Sequence, residues 1–135
     1  MNKLVLGVVV LLVVALGGFF LYLNSNPNSS GSVVDEVNGD VKTFVLEGEN
    51  FRYVMDGVDN PEIRVNQGDI VRIEFTSVGG FHDWVVNEFD ASTERVNEGG
   101  LAMVEFIADK KGEFEYYCSV GSHREFGMFG KFIVE

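Results

Sequence analysis

This 135-residue chain has one cysteine, Cys118, and two histidines, His82 and His123. A lone cysteine excludes an internal disulfide, and in an exported chain an odd thiol is paired, reactive or a ligand. Basic residues are scarce, with ten Lys and Arg against 21 Asp and Glu, and none lies between Lys3 and Lys42. No stretch after residue 40 carries a helical period of apolar residues. No cluster of Asp and Glu has the loop spacing of a calcium site. The chain has no internal repeat.

The charges are unevenly placed. Beyond Val33 lie all 21 acidic residues but only nine basic ones, a net charge of −12 for that part. This balance speaks against nucleic acid or an anionic lipid surface as partner. It suits steering toward basic protein surfaces, although solvation alone accounts for most of these charges equally well.

Leu4 to Leu23 is an uncharged, apolar run. As a helix its 20 residues span roughly 30 Å, the thickness of a bilayer core. Lys3 precedes it, and Asp35, Glu36 and Asp40 follow it. The positive-inside bias therefore keeps the N-terminus in the cytoplasm and exports the rest. Residues 1–23 are expected to be a transmembrane anchor. A cleaved signal sequence is the alternative, with Ala15-Leu16-Gly17 as its cleavage region, and would release the chain outside the cell or into the periplasm. No cysteine lies near the segment, so a lipid anchor there is excluded.

Residues 24–40, from Asn24 to Asp40, are small, polar and turn-rich and read as a flexible linker. Its root-mean-square reach is roughly 20–25 Å, so a domain on it stays near the membrane. From Val41 to Glu135 the pattern is that of strands. In Ile70–Thr76, Val71, Ile73 and Phe75 share one face while Arg72, Glu74 and Thr76 take the other. Phe114, Tyr116 and Cys118 share a face in the same way. Further short strands are expected at Thr43–Glu47, Phe51–Met55, Glu62–Val65, Asp83–Val86, Ala102–Ile107 and Lys131–Val134. Glycine-bearing turns separate them, and Met55 and Met103 are expected in the core. The fold class is therefore all-β, a Greek-key β-sandwich over residues 41–135 behind an N-terminal transmembrane helix.

Chemistry concentrates in C-S-V-G-S-H-R-E-F-G-M, where Cys118, His123 and Met128 stand at five-residue spacing. Cys118 ends one strand, His123 lies in the loop after it, and Met128 sits just before the last strand. His82, in G-G-F-H-D-W, lies 36 residues upstream of Cys118 at the start of a strand expected to neighbour it in the sheet. Two imidazoles, a thiolate and a thioether form the ligand set of a mononuclear blue-copper site. The thiolate and thioether together select copper, and a thioether is a poor ligand for zinc. Taken singly, a buried cysteine or methionine is more often plain core. Cys–His nucleophilic catalysis lacks a visible third group to orient the base.

The segment G-E-F-E-Y-Y-C-S-V-G-S-H-R-E-F-G-M resembles the C-terminal signature of the cupredoxins, the type 1 blue copper proteins such as plastocyanin and azurin. Glu62-Ile63-Arg64-Val65 through Gly68-Asp69 and Val71 resembles the strand before the first histidine of that family. The resemblance covers residues 42–135. The Cys-x₄-His-x₄-Met loop is similar to those of the longer-loop, rusticyanin-like and auracyanin-like members. It implies a copper plane of His82, Cys118 and His123 with Met128 as axial ligand. It also implies an approach of the Phe81 carbonyl from the opposite side. The ring edge of His123 is then the electron exit, with Phe126 and Phe129 as an apolar contact patch around it. Where many members carry Asn after the first histidine, this chain has Asp83. Its carboxylate is expected to brace Ser119 and the loop and to lower the reduction potential.

A binuclear copper centre needs a second cysteine in the loop, which is lacking. A multicopper oxidase flanks the cysteine with histidines, but here Tyr117 and Ser119 stand in those places. The reading that follows is a membrane-tethered copper protein, not an enzyme. It is expected to be monomeric and to pass single electrons between redox protein partners on the extracytoplasmic side. A copper carrier or chaperone is the rival reading, and a metal-free interaction sandwich the third.

Overall fold

The computed structural model describes residues 39–135. The expected anchor, residues 1–23, and all of the expected linker but Gly39 and Asp40 lie outside the described residues. Among the described residues no helix is long and apolar enough to cross a membrane. The Asp40 carbonyl already accepts a hydrogen bond from the Ile70 N–H at 3.0 Å.

Ten strands follow in order: β1 Val41–Glu49, β2 Arg52–Met55, β3 Val58–Asp59, β4 Ile63–Val65 and β5 Ile70–Ser77, then β6 Val85–Val86, β7 Ala91–Ser92, β8 Leu101–Ile107, β9 Gly112–Tyr117 and β10 Phe129–Val134. They form two five-stranded sheets, ordered β3-β2-β1-β5-β8 and β4-β10-β9-β6-β7. The pairs β1–β5 and β4–β10 are parallel, which needs crossovers between the sheets. The other pairs are antiparallel.

Alternation explains which faces meet. On β5, Val71, Ile73 and Phe75 are buried, and Arg72 turns outward to Glu105 of β8. Burying each such apolar side chain stabilises the fold by about 1.5–3 kcal/mol. The core also holds Leu46, Tyr53, Ile63, Tyr116 and Phe132, with Trp84 stacked on Tyr116 at 5.7 Å between ring centroids. The Tyr53 and Tyr116 hydroxyls donate to the Asp83 and Pro61 carbonyls, both at 2.6 Å, so neither buried phenol lacks a partner.

Two local expectations are corrected. Met103 is not in the core: it is 61% exposed, because Ala102, Val104 and Phe106 take the inward register of β8. Met55 does pack against the core. Phe51 does not open a strand. With Asn50 it forms the β1–β2 turn, both residues at positive φ (43° and 63°), a twist that suits a two-residue hairpin connection. A bulky aromatic in that conformation is uncommon.

Candidate metal centre

Three loops meet at one end of the sandwich. The first joins β5 to β6 and carries His82. The second joins β9 to β10 and carries Cys118, His123 and Met128. The third is the β1–β2 turn. His82 is fixed by a two-bond bridge to Val96: its N–H donates to the Val96 carbonyl at 3.1 Å, and the Val96 N–H donates back at 2.9 Å. Two residues on, the Thr93 N–H donates to the Trp84 carbonyl, and the Thr93 hydroxyl accepts from the Trp84 N–H. The segment 82–84 is thus pinned along its length although β6 begins only at Val85. Val85 in turn pairs with Tyr117, the residue before Cys118.

The β9–β10 loop folds back on itself. The His123 N–H donates to the Val120 carbonyl, and the Met128 N–H donates to the His123 carbonyl, both at 3.0 Å. The Cys118 N–H donates to the Met128 carbonyl at 3.1 Å. The backbone of Met128 is therefore tied to both Cys118 and His123. Gly127, at φ 104°, makes the reversal that returns the chain to β10. Its carbonyl accepts from the Asn60 amide at 3.0 Å, which braces the loop from the turn after β3. The Met128 side chain is fully buried. Its methyl lies 3.2 Å from where a Cβ on Gly48 would stand.

These elements bring His82, Cys118 and His123 together, their ligand atoms all within 4.8 Å of one another. The two histidines face each other through Nδ1, 3.1 Å apart. Cys118 Sγ lies 3.8 Å from Nδ1 of His82 and 3.5 Å from Nδ1 of His123. A point equidistant from the three atoms lies about 2.0 Å from each, against roughly 2.0–2.3 Å for metal–imidazole and metal–thiolate bonds. The Gly79 carbonyl, 2.7 Å from Nε2 of His82, holds the proton on that nitrogen and leaves the Nδ1 lone pair for a metal. The thiolate and imidazole donors, their spacing and the oriented ring fit a copper ion.

Burial differs across the group. His82 and Cys118 are 2% and 1% exposed, while His123 is half-buried. Burial pushes the Cys118 thiol above its ordinary range, partly opposed by the N–H groups of Asp83 and Val120 directed at the sulfur. His123 is lowered, first by burial and then by the neighbouring His82 ring. The His123 ring is therefore poised to accept a metal cation, whereas the sulfur must first lose its proton.

Of the residues expected around the site, Asp83 sits where the sequence places it. One oxygen of its buried carboxylate accepts the Ser119 N–H at 2.7 Å, and the other accepts the Ser119 hydroxyl. Phe126 and Phe129 are 67% and 43% exposed, and Phe81 is 40% exposed. An open cleft beside the histidines is lined by Phe51, Phe81, Val120 and His123. Two residues escaped the sequence reading. Phe51 packs its ring against His123, edge to face at 4.9 Å, and against Phe126 at 5.2 Å. Arg95 donates from Nε to Asp83 at 3.2 Å and from Nη2 to the Ser119 hydroxyl at 2.9 Å. Neither is in a motif. The positive φ that turns Phe51 toward His123, and the bridge that carries Arg95 to Asp83, are tertiary features.

Two sheets of this order with a His–Cys–His group at one end define the cupredoxin fold, and comparison with solved structures bears this out. Auracyanin A, a blue copper protein from Chloroflexus aurantiacus, superposes with a TM-score of 0.60 at 19% identity, over 71% of this chain and 100% of that one. Rusticyanin from Thiobacillus ferrooxidans superposes with a TM-score of 0.59 at 21% identity, over 72% of this chain and 79% of its own. At the level of sequence, L-ascorbate oxidase of Cucumis sativus is 30% identical over 89 residues, 56% of this chain. That match covers only 15% of the oxidase. No family model matches the chain.

Proposed function

We propose that this protein is a single-electron carrier in which His82, Cys118 and His123 would hold one copper ion, with the Met128 thioether as a further ligand. The observation that carries the reading is the triangle of two Nδ1 atoms and one Sγ, set by hydrogen-bonded loops on a rigid sandwich. When bound, copper supplies a one-electron couple between Cu(I) and Cu(II). The protein's part is to keep the donors in one arrangement for both states. The Gly79 carbonyl orients His82, and Met128 backbone bonds tie Cys118 to His123. Little then reorganises when the electron moves.

The exit is the half-buried ring of His123, with the exposed Phe51, Phe81 and Phe126 around it as the surface for a redox protein partner. Phe129 would extend that surface, and the Phe81 carbonyl would offer the metal a further oxygen donor. The apolar run of residues 4–23 tethers the domain to the extracytoplasmic face of the membrane. The protein acts as a monomer and transforms no substrate. An oxygen-reducing role such as an oxidase performs has no support within this chain, whose two histidines both belong to the one group. Burial of His82 and Cys118 favours keeping the metal over handing it on, which ranks the carrier reading below electron transfer. The experiment is a pair of measurements on the copper-loaded chain: electron self-exchange, and copper loss to an excess of chelator. Fast exchange with slow loss supports the electron carrier; slow exchange with fast loss makes it a copper donor.

A further inference from the structure

Among the ion pairs of the described residues, one differs in kind. In every other pair the carboxylate side chain is at least 32% exposed, so water screens it. In Arg95–Asp83 the carboxylate is 4% exposed. That carboxylate lies in the residue after His82 and binds Ser119, the residue after Cys118. Three donors converge on it: the Ser119 N–H, the Ser119 hydroxyl and Nε of Arg95. Two are neutral and one is charged. Nη2 of Arg95 reaches the same Ser119 hydroxyl at 2.9 Å, so the guanidinium spans both members of the clamp.

Arg95 is held there by main chain. It directly precedes Val96, which exchanges two hydrogen bonds with His82, and follows the Thr93–Trp84 pair. The guanidinium thus arrives beside the site by strand pairing, with one face left to solvent. A buried negative charge next to the sulfur favours the more positive, oxidised state of a metal there. An adjacent guanidinium that is always charged cancels most of that effect.

We propose that Arg95 is a positioning residue that sets the reduction potential of the centre by neutralising Asp83 and clamping Ser119 beside Cys118. This rests on the copper reading of the site. It adds to the expectation that Asp83 lowers the potential, because the site meets the Arg95–Asp83 pair and not the carboxylate by itself.

The test uses the full chain as parent, Arg95→Gln, Arg95→Lys, Asp83→Asn and the double variant, each given one equivalent of Cu(II). The visible charge-transfer band reports loading, and spectroelectrochemistry reports the potential. Arg95→Gln is expected to keep the band and to lower the reduced-to-oxidised ratio at fixed ambient potential by about tenfold, ~59 mV for one electron. Arg95→Lys keeps most of the parent value. Asp83→Asn raises the ratio, and the double variant returns to within about threefold of the parent, since both charges are then gone. A band in Arg95→Gln with the parent's potential overturns the inference and leaves the copper reading standing. No band in the parent overturns the copper reading and the inference with it.

Discussion

The Nδ1 atoms of His82 and His123 face each other at 3.1 Å, although the residues come from different loops and lie 41 positions apart. What turns the His82 ring that way is the Gly79 carbonyl on its far side, 2.7 Å from Nε2. The ring is also crowded from behind. A Cβ on Gly80, whose φ is +96°, would stand 3.1 Å from His82 Nε2. Gly80→Ala strains the turn and pushes on the ring that carries the ligand nitrogen. Copper affinity is expected to fall about 10–100-fold, the usual cost of disturbing a ligand's support. Competition against a chelator of known affinity measures it; unchanged affinity would mean that the Gly79–His82 contact does not orient the ligand.

Gly48 of β1 reaches the site from the opposite sheet. A Cβ there would lie 2.6 Å from the Phe75 ring and 3.2 Å from the Met128 methyl. Gly48→Ala is expected to cost about 1–3 kcal/mol of stability through overpacking. It should also displace Met128 and change the relative intensities of the visible bands of the copper-loaded protein. Denaturant melts and absorption spectra check the two effects. A spectrum identical to the parent's would separate Met128 from the metal.

Two phenylalanines should behave in opposite ways. Phe75 is 1% exposed, and Phe75→Ala is expected to cost about 3–5 kcal/mol. Phe51 is 43% exposed and sits at a φ of 63°, a conformation glycine adopts without strain. Relief of that strain offsets most of the lost ring contact, so Phe51→Gly should change stability by no more than about 1 kcal/mol. It should nonetheless slow electron exchange, because the ring that borders His123 is gone. Unfolding curves read the first effect and self-exchange rates the second. A large stability loss with exchange unaltered would make Phe51 a packing residue only.

Copper uptake should release protons in a way the shifts define. The Cys118 thiol is raised above its ordinary value of 9.0, first of all by burial, so at pH 7 it still carries its proton. Binding the thiolate then expels about one proton from Cys118, and affinity rises by roughly tenfold per pH unit on that account. His123 is lowered below its ordinary 6.5, so it joins in only under more acid conditions. In the metal-free chain the same shift works against stability at low pH. The unfolded state takes up the His123 proton first, so this contribution is complete above 6.5 and drains away as pH falls through the lower folded value. Calorimetry in buffers of different ionisation enthalpy counts the protons; no release at pH 7 from a chain with Cys118 intact would contradict a buried thiol.

Much of this was legible because short-range pattern and chemistry carry it. Period-two alternation identified the inward face of β5 and the line Phe114, Tyr116, Cys118, since a strand that buries one face has no other way to arrange them. The scarcity of Cys and His left one grouping of His82, Cys118 and His123 to consider, and the structure brings their ligand atoms together. What was not legible depends on long-range register. β3 and β7 are two residues each, too short for any period to show. Met103 looked like core by composition, but its parity on β8 points it outward. Arg95 stands in a plain polar stretch, and only the bridge of His82 to Val96 brings it to Asp83.

The central claim is that Cys118, His82 and His123 hold copper through a thiolate. The most direct test is the visible absorption and electron spin resonance of the purified full chain after one equivalent of Cu(II). The account predicts an intense charge-transfer band that a reductant bleaches and that Cys118→Ser abolishes. Only the weak absorption of ordinary Cu(II), equal in the parent and Cys118→Ser, would contradict it.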